Sequence, residues 1–286
     1  MDFIPIKTAE EALQVRKIWK QVFIDDDRYL DRFFEKCFPF LSTYALVEDR
    51  EIRSIASLID LKYADLRLKY LYGVATPVQF RGRKYSQKLT EWLVKSEKSA
   101  GTDAILTRPA NRNLFDFYRR QGFTCELKRR ILSKEIQSKP SGIKFPEAAS
   151  DFRIGRKNHP QSLDSLYHLC LKEAETSKNI TFEQPVLTFA IEDFLEDSGI
   201  VFYNNDDYLF TKIDHELVRI ESSTTVTLPH FLNESFAHEQ IMSVQMFLPE
   251  ETKLGIPENY GLAYILKEEL GKERISDLPP IQFLME

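Results

Sequence analysis

The chain has 286 residues, of which 43% are hydrophobic and 29% charged, and its formal net charge is −5 at pH 7. This length predicts two domains of ordinary size, and no run of about 18 apolar residues is present that could cross a membrane. The first residues lack an apolar signal core and the three cysteines have no metal-ligand spacing, so we expect a cytoplasmic protein without a metal site.

Hydrophobic spacing along the first half predicts alternating strands and helices. Thr8 and Glu11 form a capping pair before a helix in TAEEALQVRKIWKQVF, and a second helix follows in IDDDRYLDRFFEKCF. Three strands come next, with DREI as a hairpin turn between the first two. A helix ending near Gly101, a short strand, a helix stopped by Gly122 and a final strand complete the half. The order β-α-α-β-β-β-α-β-α-β predicts an α/β layer fold.

The second half begins after QSKPSGIKFPEAASD, a segment rich in Ser, Pro and Gly that we interpret as a linker. Its patterns predict a strand in DFRIGRK, helices in SLDSLYHLCLKEA and TFEQPVLTFAIEDFLED, a three-strand meander from GIVFYNN to LVRIESSTT, a helix in LPHFLNESFAH and a strand in QIMSVQMFLP. The element order recurs although the residues do not. We therefore predict two copies of one fold, in residues 1–138 and 151–286.

The charge is divided unevenly between these halves. Residues 1–140 contain 27 Lys and Arg against 19 Asp and Glu, whereas residues 141–286 contain 12 against 25. This asymmetry indicates that the first half binds an anion, although the same charges could instead hold the two halves together.

A basic turn, RGRK, joins the third of the three strands to the next helix. The start of a helix presents unpaired N–H groups and a positive dipole end, and Gly82 permits a ligand to approach the backbone closely. The sequence is neither a Walker loop nor a dinucleotide-binding glycine pattern. Taken alone, the turn is either a solvated basic loop or an anion site.

Two motifs in the first half, LYGVATPVQFRGRKYSQKL and LTRPANRNLFDFYRRQGF, resemble the GCN5-related N-acetyltransferase (GNAT) family. In that family a turn of the type R-G-x-G-x-G holds the coenzyme A pyrophosphate, and here Lys84 and Ser86 stand where glycine is usual. The resemblance covers about residues 1–137 and implies a mixed, mostly antiparallel sheet flanked by helices. No equivalent turn occurs in the second half, which therefore resembles the degenerate GNAT-like domain of two-domain bacterial members.

The resemblance also implies which residues hold the co-substrate, acetyl coenzyme A. The third strand would hold the pantetheine arm, with the Val74 N–H facing the thioester carbonyl, and the turn amides would hold the pyrophosphate. The implied binding residues are Val74, Ala75, Thr76, Arg81, Gly82, Arg83, Lys84, Tyr85, Ser86, Asn111, Asn113 and Tyr118. Tyr118 is implied to be the catalytic general acid as well, although without the resemblance it could be a core aromatic residue.

The acceptor is implied to bind at the loop after the first helix. Asp25, Asp26 and Asp27 either attract a cationic amine there or form a solvated turn, and Phe33 and Phe34 would line the same groove. The acidic second half would either wall one side of this groove or only stabilise the first domain.

The predicted function is transfer of an acetyl or other short acyl group from coenzyme A to a small-molecule or peptide amine by direct attack. The alternatives are an acyl-CoA-binding sensor or regulatory protein without catalysis, and an interaction scaffold without a ligand. We expect no membrane partner and no nucleic-acid partner, since the basic residues 128–130 lie along a strand without interleaved aromatic residues.

Overall fold

The computed structural model divides the chain into two compact units. It describes residues 1–135, 153–155, 163–176, 180–196, 199–203, 208–214, 217–222, 243–248, 256–267, 269–276, 278–279 and 281. Unit 1 comprises Met1–Leu127, Phe182–Phe189 and Tyr260–Ser276; unit 2 comprises Lys128–Thr181, Ala190–Asn259 and Asp277–Glu286. Two segments from the second half of the chain therefore belong to the unit built mainly from the first half.

Unit 1 contains the elements predicted for the first half in the predicted order. Its complete strands are β1 (Asp2–Pro5), β2 (Ser42–Glu48), β3 (Glu51–Lys62), β4 (Leu68–Ala75) and β5 (Ala104–Thr107). It also contains β6 (Cys125–Glu135) as far as Leu127 and β13 (Ile256–Ile265) from Tyr260 onward. Its helices are α1 (Ala9–Phe23), α2 (Asp27–Lys36), α3 (Tyr85–Ala100), α4 (Arg112–Arg119) and α7 (Lys272–Ser276), and α6 (Gln184–Glu196) begins in it. The sequence patterns did not predict β13 or α7.

The sheet of unit 1 has the strand order β1-β2-β3-β4-β5-β13-β6. Strands β1 to β4 are antiparallel neighbours, β4 and β5 are parallel, and β13 runs antiparallel to β5. Helix α3 makes the crossover that a parallel pair requires. The predicted class, a mixed and mostly antiparallel sheet flanked by helices, is confirmed.

Side-chain caps start the first two helices. Thr8 accepts a hydrogen bond from the Glu11 N–H at 3.2 Å, and the Glu11 carboxylate accepts one from the Thr8 N–H at 2.9 Å. This reciprocal pair is the predicted capping box. Asp26 caps α2 by accepting from the Tyr29 N–H at 2.8 Å, so the acidic loop between the helices has a structural role.

The predicted DREI hairpin turn is confirmed. Glu48 pairs with Glu51 across Asp49 and Arg50, whose φ angles are 54° and 62°. Two residues with positive φ match the right-handed twist of the strands that they join.

Helix α3 packs against the sheet and ends where the sequence predicts. Leu89 and Leu93 are buried, and Trp92 stacks on Phe3 of β1 with ring centroids 5.2 Å apart. Gly101 ends the helix in a left-handed conformation, with φ +80°. This packing holds α3 against the sheet, and the helix begins at Tyr85, ten residues after the end of β4 at Ala75.

Unit 2 contains a further set of paired strands and a helix. Its elements are β7 (Arg153–Gly155), α5 (Leu163–Glu175), β9 (Ile200–Tyr203), β10 (Tyr208–Asp214), β11 (Leu217–Ser222) and β12 (Ser243–Leu248). The strand order is β6-β12-β11-β10-β9-β7, in which β11 and β12 are parallel and the other pairs antiparallel. The predicted meander, now β9 to β11, is confirmed.

The helix predicted over TFEQPVLTFAIEDFLED is wrong at its start. Thr181 and Phe182 form the short strand β8, and α6 begins at Gln184. Proline fits the first turn of a helix, so Pro185 favours a start at this point. Two further predictions, the linker and the helix in LPHFLNESFAH, lie outside the described residues, and the domain boundary between 138 and 151 stays a prediction. Within the described ranges, no helix is long and apolar enough to cross a membrane.

Candidate active site

Strands β4 and β5 of unit 1 pair at one end and separate at the other. Residues 68–70 pair with residues 104–106, whereas β4 continues to Ala75. Where the strands part, the Thr107 hydroxyl donates to the Leu71 carbonyl at 3.2 Å. Among the described residues, the rest of β4 pairs only with β3, so the backbone groups on its other side have no strand partner.

A β-bulge interrupts β4 at this opening. Gly73 and Val74 together stand opposite the single residue Ala56 of β3, and Gly73 has a φ of +60°. A Cβ atom added to Gly73 would lie 2.4 Å from two ring carbons of Trp19, so only glycine fits here. Bulges bend a strand and disrupt its ladder. Val74, the predicted oxyanion donor, therefore lies where the backbone departs from regular pairing.

The end of β4 is tied both to β3 and to the basic turn. Ser54, which is fully buried, donates to the Ala75 carbonyl at 3.0 Å, and its hydroxyl lies 3.0 Å from that of Thr76. The Arg81 Nε donates to the Thr76 carbonyl at 3.2 Å. These bonds hold the turn directly beyond the opening between β4 and β5.

The basic turn adopts a left-handed backbone at two positions. Gly82 has a φ of +79° and Lys84 a φ of +62°, and the residues from Arg81 to Lys84 are exposed. Lys84 thus adopts a conformation that costs a non-glycine residue about 1–2 kcal/mol.

Five backbone N–H groups at this turn have no acceptor among the described residues. They belong to Gly82, Lys84, Tyr85, Ser86 and Gln87. Helix α3 has no side-chain cap, and its first backbone bond runs from the Lys88 N–H to the Lys84 carbonyl at 3.0 Å. No atom lies within 4 Å of a Cβ added to Gly82. This open row of donors at the positive end of a helix suits an anion.

A network of charged and aromatic side chains supports the turn. The Tyr85 hydroxyl donates to the Glu48 carboxylate, and this bond is the main reason that the pKa of Tyr85 is raised; a hydrogen bond with Arg83 opposes the shift. Arg53, which is 8% exposed, lies 4.2 Å from the centroid of the Phe80 ring. The start of α3 is thereby anchored through its first residue.

Tyr118 lies at the inner side of α4 with its hydroxyl at the opening. It is 6% exposed, and the rings of Phe117 and Phe123 lie 5.1 and 5.4 Å from its own. Burial is the largest cause that raises the pKa of Tyr118 far above its ordinary value; Tyr70 adds to the shift and a hydrogen bond with Thr107 opposes it. Tyr118 is therefore a protonated donor at neutral pH, bonded to the residue that marks the separation of β4 and β5.

The two asparagines of the second motif differ in their surroundings. Asn111 is the N-cap of α4 and accepts from the Leu114 N–H at 3.2 Å, which is sufficient to favour asparagine at this position. Asn113 is exposed. Their contact with a co-substrate stays a prediction.

The three aspartates after α1 have different partners. Asp26 is the N-cap of α2, and Asp27 pairs with Lys20 at 2.6 Å, a hydrogen bond that is the main cause of its lowered pKa. Asp25 is half-buried and accepts from the Trp19 Nε1 at 2.9 Å. Burial raises the pKa of Asp25, and the Trp19 hydrogen bond opposes this. Of the three aspartates, Asp25 is therefore the one that bonds to Trp19, whose ring packs on Gly73 in the β4 bulge.

Phe33 and Phe34 belong to an extended aromatic cluster next to this loop. Its members are Trp19, Phe23, Tyr29, Phe33, Phe34, Phe38, Tyr70, Tyr72, Phe182 and Phe189. Phe33 is fully buried and Phe34 half-buried. Phe189, which lies 5.7 Å from Phe33, comes from the second half of the chain and belongs to unit 1. The lining of an acceptor groove by Phe33 and Phe34 stays a prediction.

The sequence patterns missed two features of this region. Thr107 was visible only as the polar end of the apolar strand AILT, a weak signal for a residue that bonds to both Leu71 and Tyr118. The contact of Trp19 with Gly73 joins distant residues and leaves no local pattern. The structure brings the two sequence motifs together in one hydrophobic cluster. Phe80 and Tyr85 of the first motif and Tyr118 of the second belong to it, and Val74 packs against it.

Comparison with known proteins identifies the fold. No family model matches the chain, and no curated protein matches its sequence. A GCN5-related N-acetyltransferase from Kribbella flavida is 14% identical, with a TM-score of 0.63 over 93% of this chain and 72% of that one. One from Anabaena variabilis is 12% identical, with a TM-score of 0.64 over 93% and 73%. Eis1 from Mycobacterium abscessus is 9% identical, with a TM-score of 0.63 over 93% and 74%. This chain therefore has the GNAT fold.

Proposed function

We propose that this protein is a GNAT acyltransferase that moves an acetyl or other short acyl group from coenzyme A to an amine. The observation that carries the proposal is the set of five unpaired N–H donors at the start of α3, within an exposed basic turn of a GNAT fold. A pyrophosphate can accept from several such donors at once, and Arg81, Arg83 and Lys84 add charge around it.

The open side of β4 supports the placement of the acyl group. The pantetheine amides would pair with the backbone of β4 beyond Leu71, where β5 has separated from it. The thioester would then lie at the bulge, with the Val74 N–H directed at its carbonyl oxygen. A donor at that position stabilises the oxyanion that develops when the amine attacks.

Tyr118 supplies the proton that the leaving group needs. A neutral amine attacks the thioester carbon, a C–N bond forms, and the C–S bond breaks as the tetrahedral intermediate collapses. The thiolate takes the Tyr118 proton, the amine loses its own proton to solvent, and the Tyr118 phenolate regains a proton from solvent. A tyrosine is protonated at neutral pH at its ordinary pKa, and the upward shift of the Tyr118 pKa leaves it so.

Asp25 is the residue that we assign to the acceptor amine. Asp26 and Asp27 already serve the α2 cap and the Lys20 ion pair. One Asp25 oxygen accepts from Trp19, and the other has no partner among the described residues. It can attract the acceptor as an ammonium ion, more strongly than a fully solvated carboxylate would, and that ion loses a proton to solvent before the neutral amine attacks.

The full-length chain should release free thiol from acetyl coenzyme A when a panel of primary amines is added, with the acylated amine identified by mass spectrometry. Lys84→Gln should raise the coenzyme A Kd in calorimetry. Lys95→Gln is the matched control, since Lys95 is exposed on the same helix, about 16 Å along its axis from Lys84. Binding without turnover would favour an acyl-CoA-binding protein, and absence of binding would contradict the proposal altogether.

A further inference from the structure

Strand β13 comes from far along the chain, yet it contacts the residues that hold Tyr118. It enters the sheet of unit 1 between β5 and β6, where Leu262 pairs with Thr107. Thr107 is the residue whose side chain bonds to Tyr118. The first route from β13 to Tyr118 therefore runs through the β5 ladder.

Tyr264 of β13 provides a second route through aromatic packing. Its ring lies edge-on to that of Phe123, with centroids 5.4 Å apart and planes at 79°. Phe123 is fully buried, and its ring lies 5.4 Å from the Tyr118 ring at 67°. A displacement of Phe123 would thus be felt directly by Tyr118, because packed interiors transmit small shifts.

The turn after α4 shows how closely Tyr264 is fitted. Gly122 has a φ of +95°, and a Cβ atom added to it would lie 2.6 Å from a ring carbon of Tyr264. The Gly122 N–H donates to the Arg119 carbonyl at 3.1 Å, and the Phe123 N–H donates to the Tyr118 carbonyl at 3.2 Å. Tyr264 therefore packs on a turn that is hydrogen-bonded to the backbone of Tyr118 itself.

We propose that Tyr264 is a positioning residue that holds the Tyr118 hydroxyl at the opening between β4 and β5. The inference rests on the proposed function, in which Tyr118 is the proton donor. Tyr264 acts through Phe123 and Gly122 rather than by touching substrate. The unit built mainly from the first half of the chain is then catalytically incomplete without a segment from the second half.

The test compares Tyr264→Leu with Tyr264→Phe in the full-length chain. Loss of the ring lets Phe123 move, and a misplacement of about 1 Å can cost up to about 10²-fold in rate. We expect kcat of Tyr264→Leu to fall by at least about 10-fold, with the coenzyme A Kd unchanged. Tyr264→Phe keeps the ring contact and should retain the wild-type kcat.

A double-mutant cycle separates positioning from general stability. In a Tyr118→Phe background, Tyr264→Leu should cause no further loss of kcat, because the hydroxyl that it positions is already gone. An equal loss in both backgrounds, or no loss in either, would overturn the proposal. If circular dichroism shows that Tyr264→Leu is unfolded, Tyr264→Met replaces it, since methionine fills irregular space.

A spectroscopic measurement decides the question without turnover. With 3-fluorotyrosine at position 118, the ¹⁹F resonance should shift in Tyr264→Leu and stay in place in Tyr264→Phe. An unshifted resonance in Tyr264→Leu would overturn the positioning role. A wild-type chain without acyltransferase activity would instead defeat the proposed function, and the fluorine signal would still report whether Tyr264 positions Tyr118.

Discussion

Replacement of Gly82 by valine tests whether the backbone of the basic turn forms the anion site. The φ of Gly82 is +79°, and no atom lies within 4 Å of a Cβ added there. A Cβ atom therefore meets no protein atom, and the expected effect on the free protein comes from backbone conformation. The left-handed conformation costs an L-residue about 1–2 kcal/mol, and β-branched residues resist it most. If the free variant relaxes, binding must restore the turn, and the coenzyme A Kd should rise about 5- to 30-fold.

Gly82→Asn is the matched control for this prediction. Asparagine also adds a side chain but tolerates the left-handed region, so its Kd should stay within a few-fold of wild type. Isothermal titration calorimetry at one fixed ionic strength measures all three proteins, because salt screens the charges of the turn. An unchanged Kd for Gly82→Val would refute the assignment. Equal losses in both variants would show that side-chain bulk, rather than backbone geometry, is responsible.

Three further substitutions test other parts of the site. Tyr118→Phe should lower kcat by about 10²-fold and leave the coenzyme A Kd unchanged. Full activity of this variant in steady-state kinetics would show that Tyr118 has only a structural role. Gly73→Ala should lower the free energy of unfolding in urea by about 2–5 kcal/mol, through overpacking against Trp19 and the strained φ, and Trp19→Phe in the same chain should recover part of this. The raised pKa of Asp25 means that its contribution to stability is present below the ordinary pKa of 3.8 and is lost as the pH rises through the folded pKa. The unfolding free energy of Asp25→Asn relative to wild type should therefore increase over that range, and a difference independent of pH would contradict the shift.

Much of the fold of the first half could be predicted because its signals are local. The capping box of Thr8 and Glu11, the Asp49–Arg50 hairpin and the glycine that ends α3 each depend on residues a few positions apart. The same holds for the basic turn, which was visible as RGRK before a helical pattern. The order of elements in unit 1 followed from these signals.

The roles of individual site residues were less accessible to the sequence. The patterns could not distinguish among Asp25, Asp26 and Asp27, whose partners are Trp19, a helix end and Lys20. The early start predicted for the helix at Thr181 was wrong because apolar residues alone do not separate a buried strand from a helix.

By itself, the sequence determined the elements of the first half, the basic character of the turn and the two motifs that suggested acyl transfer. Only the tertiary structure decided that β4 parts from β5 at Thr107, that Trp19 packs on Gly73, and that β13 completes the sheet beside β5. The physical reason is the range of the interactions. Caps and hairpins are set by hydrogen bonds between residues close in the chain. A strand partner or an aromatic contact is instead chosen by which surface remains unpaired after the chain has folded back on itself, which no local pattern encodes.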